Sequence, residues 1–191
     1  MVIRDADAER AAAAWAAIYA PYVRDTPISL EETPPSATEL ARRIISITQT
    51  HCWLVAHDGE TLVGYAYATR HRERACYRWA TDVAVYVEPA HQRRGAARAL
   101  YETLFGRLTE QGFRIACAGI TLPNAASVGL HESLGFEPVG VYRRIGWKLG
   151  AWHDVGWWQL HLGDRLDDGM PAEPGPRPVT ARPDLRVSPR R

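Results

Sequence analysis

Apolar and polar positions divide this chain into a short series of elements. An alanine-rich stretch from 5 or 7 to 22 sets Trp15, Ile18 and Tyr22 at helical spacing, with a stop expected at Pro21. After a loop over 26–35, a second helix starts at Ser36 or Thr38 and runs to about 48, with Leu40, Ile44 and Ile47 on one face. Residues 52–56 and 61–69 read as strands around His57-Asp58-Gly59-Glu60, which predicts an antiparallel hairpin. A basic run over 70–78 interrupts the pattern, and a strand over 79–87 follows. From Gly95 to about Glu110 a helix carries Leu100, Leu104 and Leu108 as its apolar stripe, and Gly112 stops it. A strand over 115–120 is expected parallel to the one over 79–87. A helix over 125–134 is capped by Asn124, and strands over 136–145 and 154–162 flank a turn region at 147–153.

The junction between the 79–87 strand and the helix after it carries the densest chemistry. Glu88-Pro89 ends the strand, and Gln92-Arg93-Arg94-Gly95-Ala96-Ala97-Arg98 opens the helix. The first N–H groups of a helix are unpaired and sit at its positive end, so they suit a phosphate. The small residues Gly95, Ala96 and Ala97 let such an anion approach the backbone, and Arg93, Arg94 and Arg98 add charged donors. The basic run itself, with Arg70, His71, Arg72, Arg74 and Arg78, reads by default as a solvated loop.

Composition narrows the partners. A net charge of +1 gives no reason to expect nucleic acid or an anionic membrane. No apolar run reaches membrane-spanning length, and Met1 leads straight into charged residues. Three cysteines, an odd number without metal-ligand spacing, predict reduced thiols, no metal and a cytoplasmic protein. Residues 1–163 read as one domain. Residues 164–191, rich in proline and arginine, read as a flexible tail.

Gln92-x-x-Gly95-x-Ala97 after Val85-Tyr86-Val87 resembles the coenzyme A loop of the GNAT N-acetyltransferases. Asn124-x-x-Ser127-x-x-x-His131-x-x-x-Gly135-Phe136 resembles a second signature of that family, in which most members carry Tyr where His131 stands. With Tyr77-x-Trp79, His91-Gln92-Arg93, Gln111-Gly112-Phe113, Leu122-Pro123-Asn124 and Trp152-His153-Asp154-Val155-Gly156, the resemblance narrows to the phosphinothricin and methionine sulfoximine N-acetyltransferases, over about 2–162.

That resemblance implies an α/β (α+β) fold of three layers, α/β/α, with a mixed, mostly antiparallel sheet splayed at its centre for acetyl-CoA and a bulge in the strand over 79–87. It implies acetyl transfer to the α-amino group of a small amino acid by direct attack, without an acyl-cysteine, in a homodimer. The backbone of Val85, Tyr86 and Val87, the turn over 93–98, and Asn124 and Ser127 would hold the coenzyme. Asp82 stands where the family has a glutamate base, one methylene shorter and so shorter in reach; an amine arriving as ammonium needs such a group. His131 would relay or return a proton. Leu30, Arg72, Arg74 and Tyr77 would meet the acceptor, with Lys148 and Trp152 on the far wall. The competing expectations are a different amine acceptor, a non-catalytic acyl-CoA-binding module, or a Rossmann-like nucleotide binder; the antiparallel hairpins oppose the last.

Overall fold

A computed structural model describes residues 1–163, 175–180 and 182–187, apart from the side chains of 9–11. Its frame is an eight-stranded sheet made of β1 (Val2–Asp5), β2 (Trp53–Asp58), β3 (Thr61–Arg70), β4 (Ala80–Val87), β5 (Ile115–Leu122), β6 (Glu137–Lys148), β7 (Ala151–His161) and β8 (Leu185–Arg186), in the order β6-β7-β5-β4-β3-β2-β1-β8. Among the described residues only β4 and β5 pair in parallel, as expected of a strand-helix-strand unit. The helices are α1 (Ala8–Asp25), α2 (Ala37–Thr48), α3 (Ala96–Gln111) and α4 (Ala125–Ser133).

Side-chain alternation in β2 and β3 explains the three layers. Trp53, Val55 and Tyr65 turn to one face, where they pack with Trp15, Ile18, Val23, Leu40 and Ile44 of α1 and α2. Leu54, Ala56, Ala66 and Ala68 turn to the other, against the fully buried Leu100, Leu104 and Leu108 of α3. The small residues at 66 and 68 let α3 lie close to the sheet.

Local chemistry sets the element ends. Ser36 caps α2, its Oγ accepting from the Glu39 amide at 3.1 Å. Gly95 and Gly112 bracket α3 with φ of 85° and 100°, a region open to glycine. Lys148 and Ala151 face each other across Leu149-Gly150, both at positive φ, so the broad turn expected at 147–153 is a two-residue hairpin.

Further expectations are corrected. Helix α1 does not stop at Pro21 but continues to Asp25. A proline inside a helix costs about 3 kcal/mol. Here the last turn buries Val23 completely and lets the Tyr22 hydroxyl donate to the Val87 carbonyl at 2.5 Å, which offsets much of that loss. The bulge expected in β4 is absent from its pairing with β3, which holds one register from Gly64↔Val87 to Arg70↔Thr81; the irregularity lies at Ala56/His57 instead. Residues 2–5, not expected to be a strand, pair with β2 as β1.

The flexible character expected of 164–191 does not hold for its described parts. Leu185 and Arg186 pair with Ile3 and Val2 as β8. Arg177 exchanges backbone and side-chain hydrogen bonds with Gln111, and Arg182 pairs with Glu110. An open sheet edge and an acidic helix end draw this polar segment in without requiring apolar burial. The remainder of the tail lies outside the described residues.

His51 gives the fold an acid sensitivity. It is buried beside Phe113, and burial, with a smaller contribution from the Arg70 charge, lowers its pKa to about 4. A histidine held below its unfolded value near 6.5 stays neutral in the fold while the unfolded chain takes up a proton. Its contribution is therefore complete above about pH 6.5 and is lost as pH falls toward 4, a loss on the order of 3 kcal/mol. Urea midpoints measured from pH 7 to 4 should fall accordingly, and His51→Gln should flatten that slope.

Candidate active site

Strands β4 and β5 are hydrogen-bonded only through Ala80↔Ile115, Thr81↔Ala116 and Asp82↔Cys117. Beyond that point β4 keeps its pairing with β3 and β5 keeps its pairing with β7, but the two no longer pair with each other, which leaves the second edge of β4 open. A groove of about 490 Å³ occupies the far part of this opening. Val85 and Val87 form one wall, Asn124, Ser127 and Leu130 the other, and Arg93, Gly95, Ala96, Ala97 and Arg98 its outer end. The expected coenzyme residues of strand, turn and helix are thus brought together.

Within that set, individual residues differ. Arg93 adopts φ 59° and stays exposed. Arg94 borders a neighbouring groove with Asp58 and Glu102. Arg98 is engaged at the protein surface, its Nη2 donating to Ser133 Oγ at 2.6 Å and its Nη1 lying 3.5 Å from Glu102. Asn124 caps α4 by accepting from the Ser127 amide at 3.1 Å. The Tyr86 side chain faces away from the groove, its ring 4.7 Å from Tyr19 and 5.2 Å from Tyr22. Tyr22, a packing residue by its spacing alone, lines the groove and links Val87 to Gln92, whose Nε2 donates to the Tyr22 hydroxyl at 2.8 Å.

At the apex, where the strands part, Asp82 Oδ1 lies 2.6 Å from His71 Nδ1. Burial raises the Asp82 pKa, and the His71 hydrogen bond and the His71 and Arg72 charges partly oppose it. Arg72 donates to the His71 carbonyl at 2.9 Å and sits 5.8 Å over the Trp157 ring. The His71 ring meets Tyr77 and Trp157 edge-on, each at 6.0 Å. Cys117 stands opposite Asp82, with its thiol pushed up to about 11 by burial and the Asp82 charge. The donor atoms of His71, Asp82 and Cys117 lie within 4.8 Å of one another, a set that Zn²⁺ accepts. Arg72 and Tyr77 therefore gather at Asp82. Arg74, exposed before the short 3₁₀ turn Ala75–Tyr77, makes no contact with this cluster among the described residues.

His131 departs from expectation. It is 4% exposed and does not border the groove. Its Nδ1 lies 2.7 Å from the Ser127 carbonyl and its Nε2 3.2 Å from the Tyr101 hydroxyl. These partners assign the proton to Nδ1 and leave Nε2 accepting. Burial pushes the ring below the usual histidine range, the Ser127 carbonyl only partly offsetting this. Its contacts with Tyr101 and Phe136 tie α4 to α3, so the site's geometry gives no footing to the expected proton donor.

On the acceptor side, Leu30 packs so tightly on Gly146 that a Cβ there would lie 2.8 Å from Leu30 Cδ1. Lys148 is buried and donates from Nζ to the Ser29 carbonyl, which anchors the same loop to β6. Trp152 is exposed.

Residues 3–157 match the acetyltransferase (GNAT) domain. The chain is 38% identical over 160 residues to a phosphinothricin N-acetyltransferase of Streptomyces viridochromogenes, covering 83% of this chain and 84% of that protein. It is 36% identical to a Pseudomonas aeruginosa L-methionine sulfoximine/L-methionine sulfone acetyltransferase, over 76% and 86% of the two chains. A solved structure of a GNAT-superfamily phosphinothricin acetyltransferase from Sinorhizobium meliloti in complex with AcCoA superposes with a TM-score of 0.85 at 35% identity, covering 91% of this chain and 94% of that one.

Proposed function

The chain belongs to the acetyltransferase (GNAT) domain family, and on that premise we propose that it moves the acetyl group of acetyl-CoA onto the α-amino group of a small amino acid of the phosphinothricin or methionine sulfoximine type. The observation that carries this reading is the parting of β4 from β5 directly beyond Asp82, which opens a strand edge and a groove next to a half-buried carboxylate. The open edge of β4 over 83–87 offers backbone groups to the pantetheine arm, as an added strand would. The turn over 93–98, with the α3 N-terminus behind it, receives the pyrophosphate. Asp82 draws the proton from the incoming ammonium, and the freed amine attacks the thioester directly. Arg72 and Tyr77, gathered beside Asp82, orient the acceptor's anionic end. Arg74 and Leu30 lie apart from that cluster and are proposed as acceptor contacts on their sequence positions alone.

We assign a homodimer as the working form, supported by the exposed Tyr142, Ile145, Trp147 and Trp152 on the β6-β7 hairpin. A cytoplasmic location is supported by three unpaired cysteines. Among the described residues no helix is long and apolar enough to cross a membrane.

The reading is tested by amine-dependent release of thiol from acetyl-CoA across phosphinothricin, methionine sulfoximine, the ordinary amino acids and polyamines. Turnover concentrated on the first two is expected. Turnover of polyamines alone would overturn the acceptor assignment, and acetyl-CoA binding without turnover of any amine would leave a binding module.

A further inference from the structure

The apex of the site holds a group that the reaction outlined above does not use. His71 opens the loop after β3, two residues beyond the position that pairs with Asp82. The antiparallel register thereby returns its ring to the Asp82 carboxylate, at 2.6 Å from Nδ1 to Oδ1. A carboxylate at that distance accepts the Nδ1 proton, which leaves the lone pair of the neutral ring on Nε2. Nε2 has no hydrogen-bond partner among the described residues, and the ring is partly open to solvent. The groups facing it are Asp82 from β4, Cys117 from β5, Arg72 and Tyr77 from its own loop, and Trp157 from β7.

We propose that His71 is a catalytic residue of this chain: Nε2 takes the proton of the acceptor's ammonium, and Asp82 orients the ring and balances the imidazolium. This rests on the acetyltransferase reading and changes one part of it: the ammonium proton goes to His71, and Asp82 assists through the ring instead of taking the proton itself. The imidazole supplies the reach that aspartate lacks relative to a longer carboxylate at the same place. The Arg72 guanidinium donates to the His71 carbonyl and so fixes the loop that presents the ring.

In the first step the ammonium N–H bond breaks and its proton joins Nε2. The free amine then forms a bond to the thioester carbon. Collapse of the tetrahedral intermediate breaks the C–S bond, and the second amine proton goes to the departing sulfur. The imidazolium finally returns its proton to water. Neither oxidant nor reductant enters.

The test compares the wild type, His71→Gln and His71→Ala in the full chain with phosphinothricin and acetyl-CoA. Glutamine can still donate to Asp82 but cannot accept the ammonium proton. A kcat loss of about 10²-fold or more with unchanged acetyl-CoA affinity is expected for both variants. Added imidazole should restore turnover to His71→Ala and not to His71→Gln, whose side chain fills the space; a purely structural role would not respond to imidazole. The acid limb of the wild-type pH profile should change shape in His71→Gln. Wild-type turnover should survive EDTA. Loss of activity in EDTA with recovery on Zn²⁺ would overturn the proposal and make His71, Asp82 and Cys117 ligands. Turnover of His71→Gln within twofold of wild type would overturn the dyad alone, whereas absence of turnover in the wild type would sink the acetyltransferase reading and the dyad together.

Discussion

Asp82→Asn should lower kcat by about 10²- to 10⁴-fold, the range general acid-base groups contribute, while acetyl-CoA still binds. The amide keeps the size of the carboxylate but cannot take up or balance a proton, and it no longer demands that His71 present its proton at Nδ1. Stability should move the other way. The folded site raises the Asp82 pKa, chiefly through burial. An acid held above its unfolded value contributes stability when protonated, at low pH, and loses that contribution as pH rises through the folded value. At neutral pH the charged form is thus the disfavoured one, and removing the charge should not lower the thermal midpoint. Activity measured beside thermal unfolding separates the two effects: a parallel collapse of both would mean that Asp82 is structural.

The second large effect is expected at the turn that opens α3. Gly95 adopts φ 85°, and a Cβ built on it would meet nothing within 4 Å. That open space borders the groove, where we place the pyrophosphate. For an L-residue the left-handed region costs roughly 1–2 kcal/mol, more for a β-branched one, so Gly95→Val depopulates the binding-competent turn and also fills the anion's space. The Kd for acetyl-CoA should rise about tenfold or more, with a smaller change in the acceptor KM. Gly106 provides the control. It lies in the same helix, where an added Cβ would again meet nothing within 4 Å, but its φ is not positive. Gly106→Ala should leave the coenzyme Kd unchanged and add up to about 1 kcal/mol of stability.

The parts of this architecture that are readable along the chain are those set by near neighbours. The Leu100, Leu104 and Leu108 stripe, the Ser36 and Asn124 caps and the strand-turn-helix over 82–98 depend on spacings of a few residues, and each lies where its local pattern places it. Strand β1 is four residues long and becomes a strand only by pairing with β2, about fifty residues on, so periodicity carries no sign of it. The same holds for β8, which needs the β1 edge to exist first. Pro21 shows tertiary packing overriding a local stop, because Tyr22 and Val23 gain partners on β4 and in the core only if the helix goes on.

The site divides in the same way. Asn124, Ser127 and His131 share one side of α4 by spacing, but spacing does not say which neighbour each turn meets. Asn124 and Ser127 border the groove, whereas His131, one turn later, is enclosed by Tyr101 and Phe136. The His71–Asp82 pair is within reach of the hairpin register: Thr69 pairs with Asp82, and a histidine two residues past that point has little choice but to lie near it. Local pattern hides the pair because His71 sits in a run of arginines whose plainest interpretation is a solvated loop.

The central claim is that amine and thioester meet directly in the opening between β4 and β5. It is tested most directly by initial rates with acetyl-CoA and phosphinothricin both varied, together with the mass of the protein after incubation with acetyl-CoA alone. We predict intersecting double-reciprocal lines and an unmodified chain. Parallel lines with an added acetyl group on Cys117, the thiol opposite Asp82, would contradict the account and replace direct attack with a covalent intermediate.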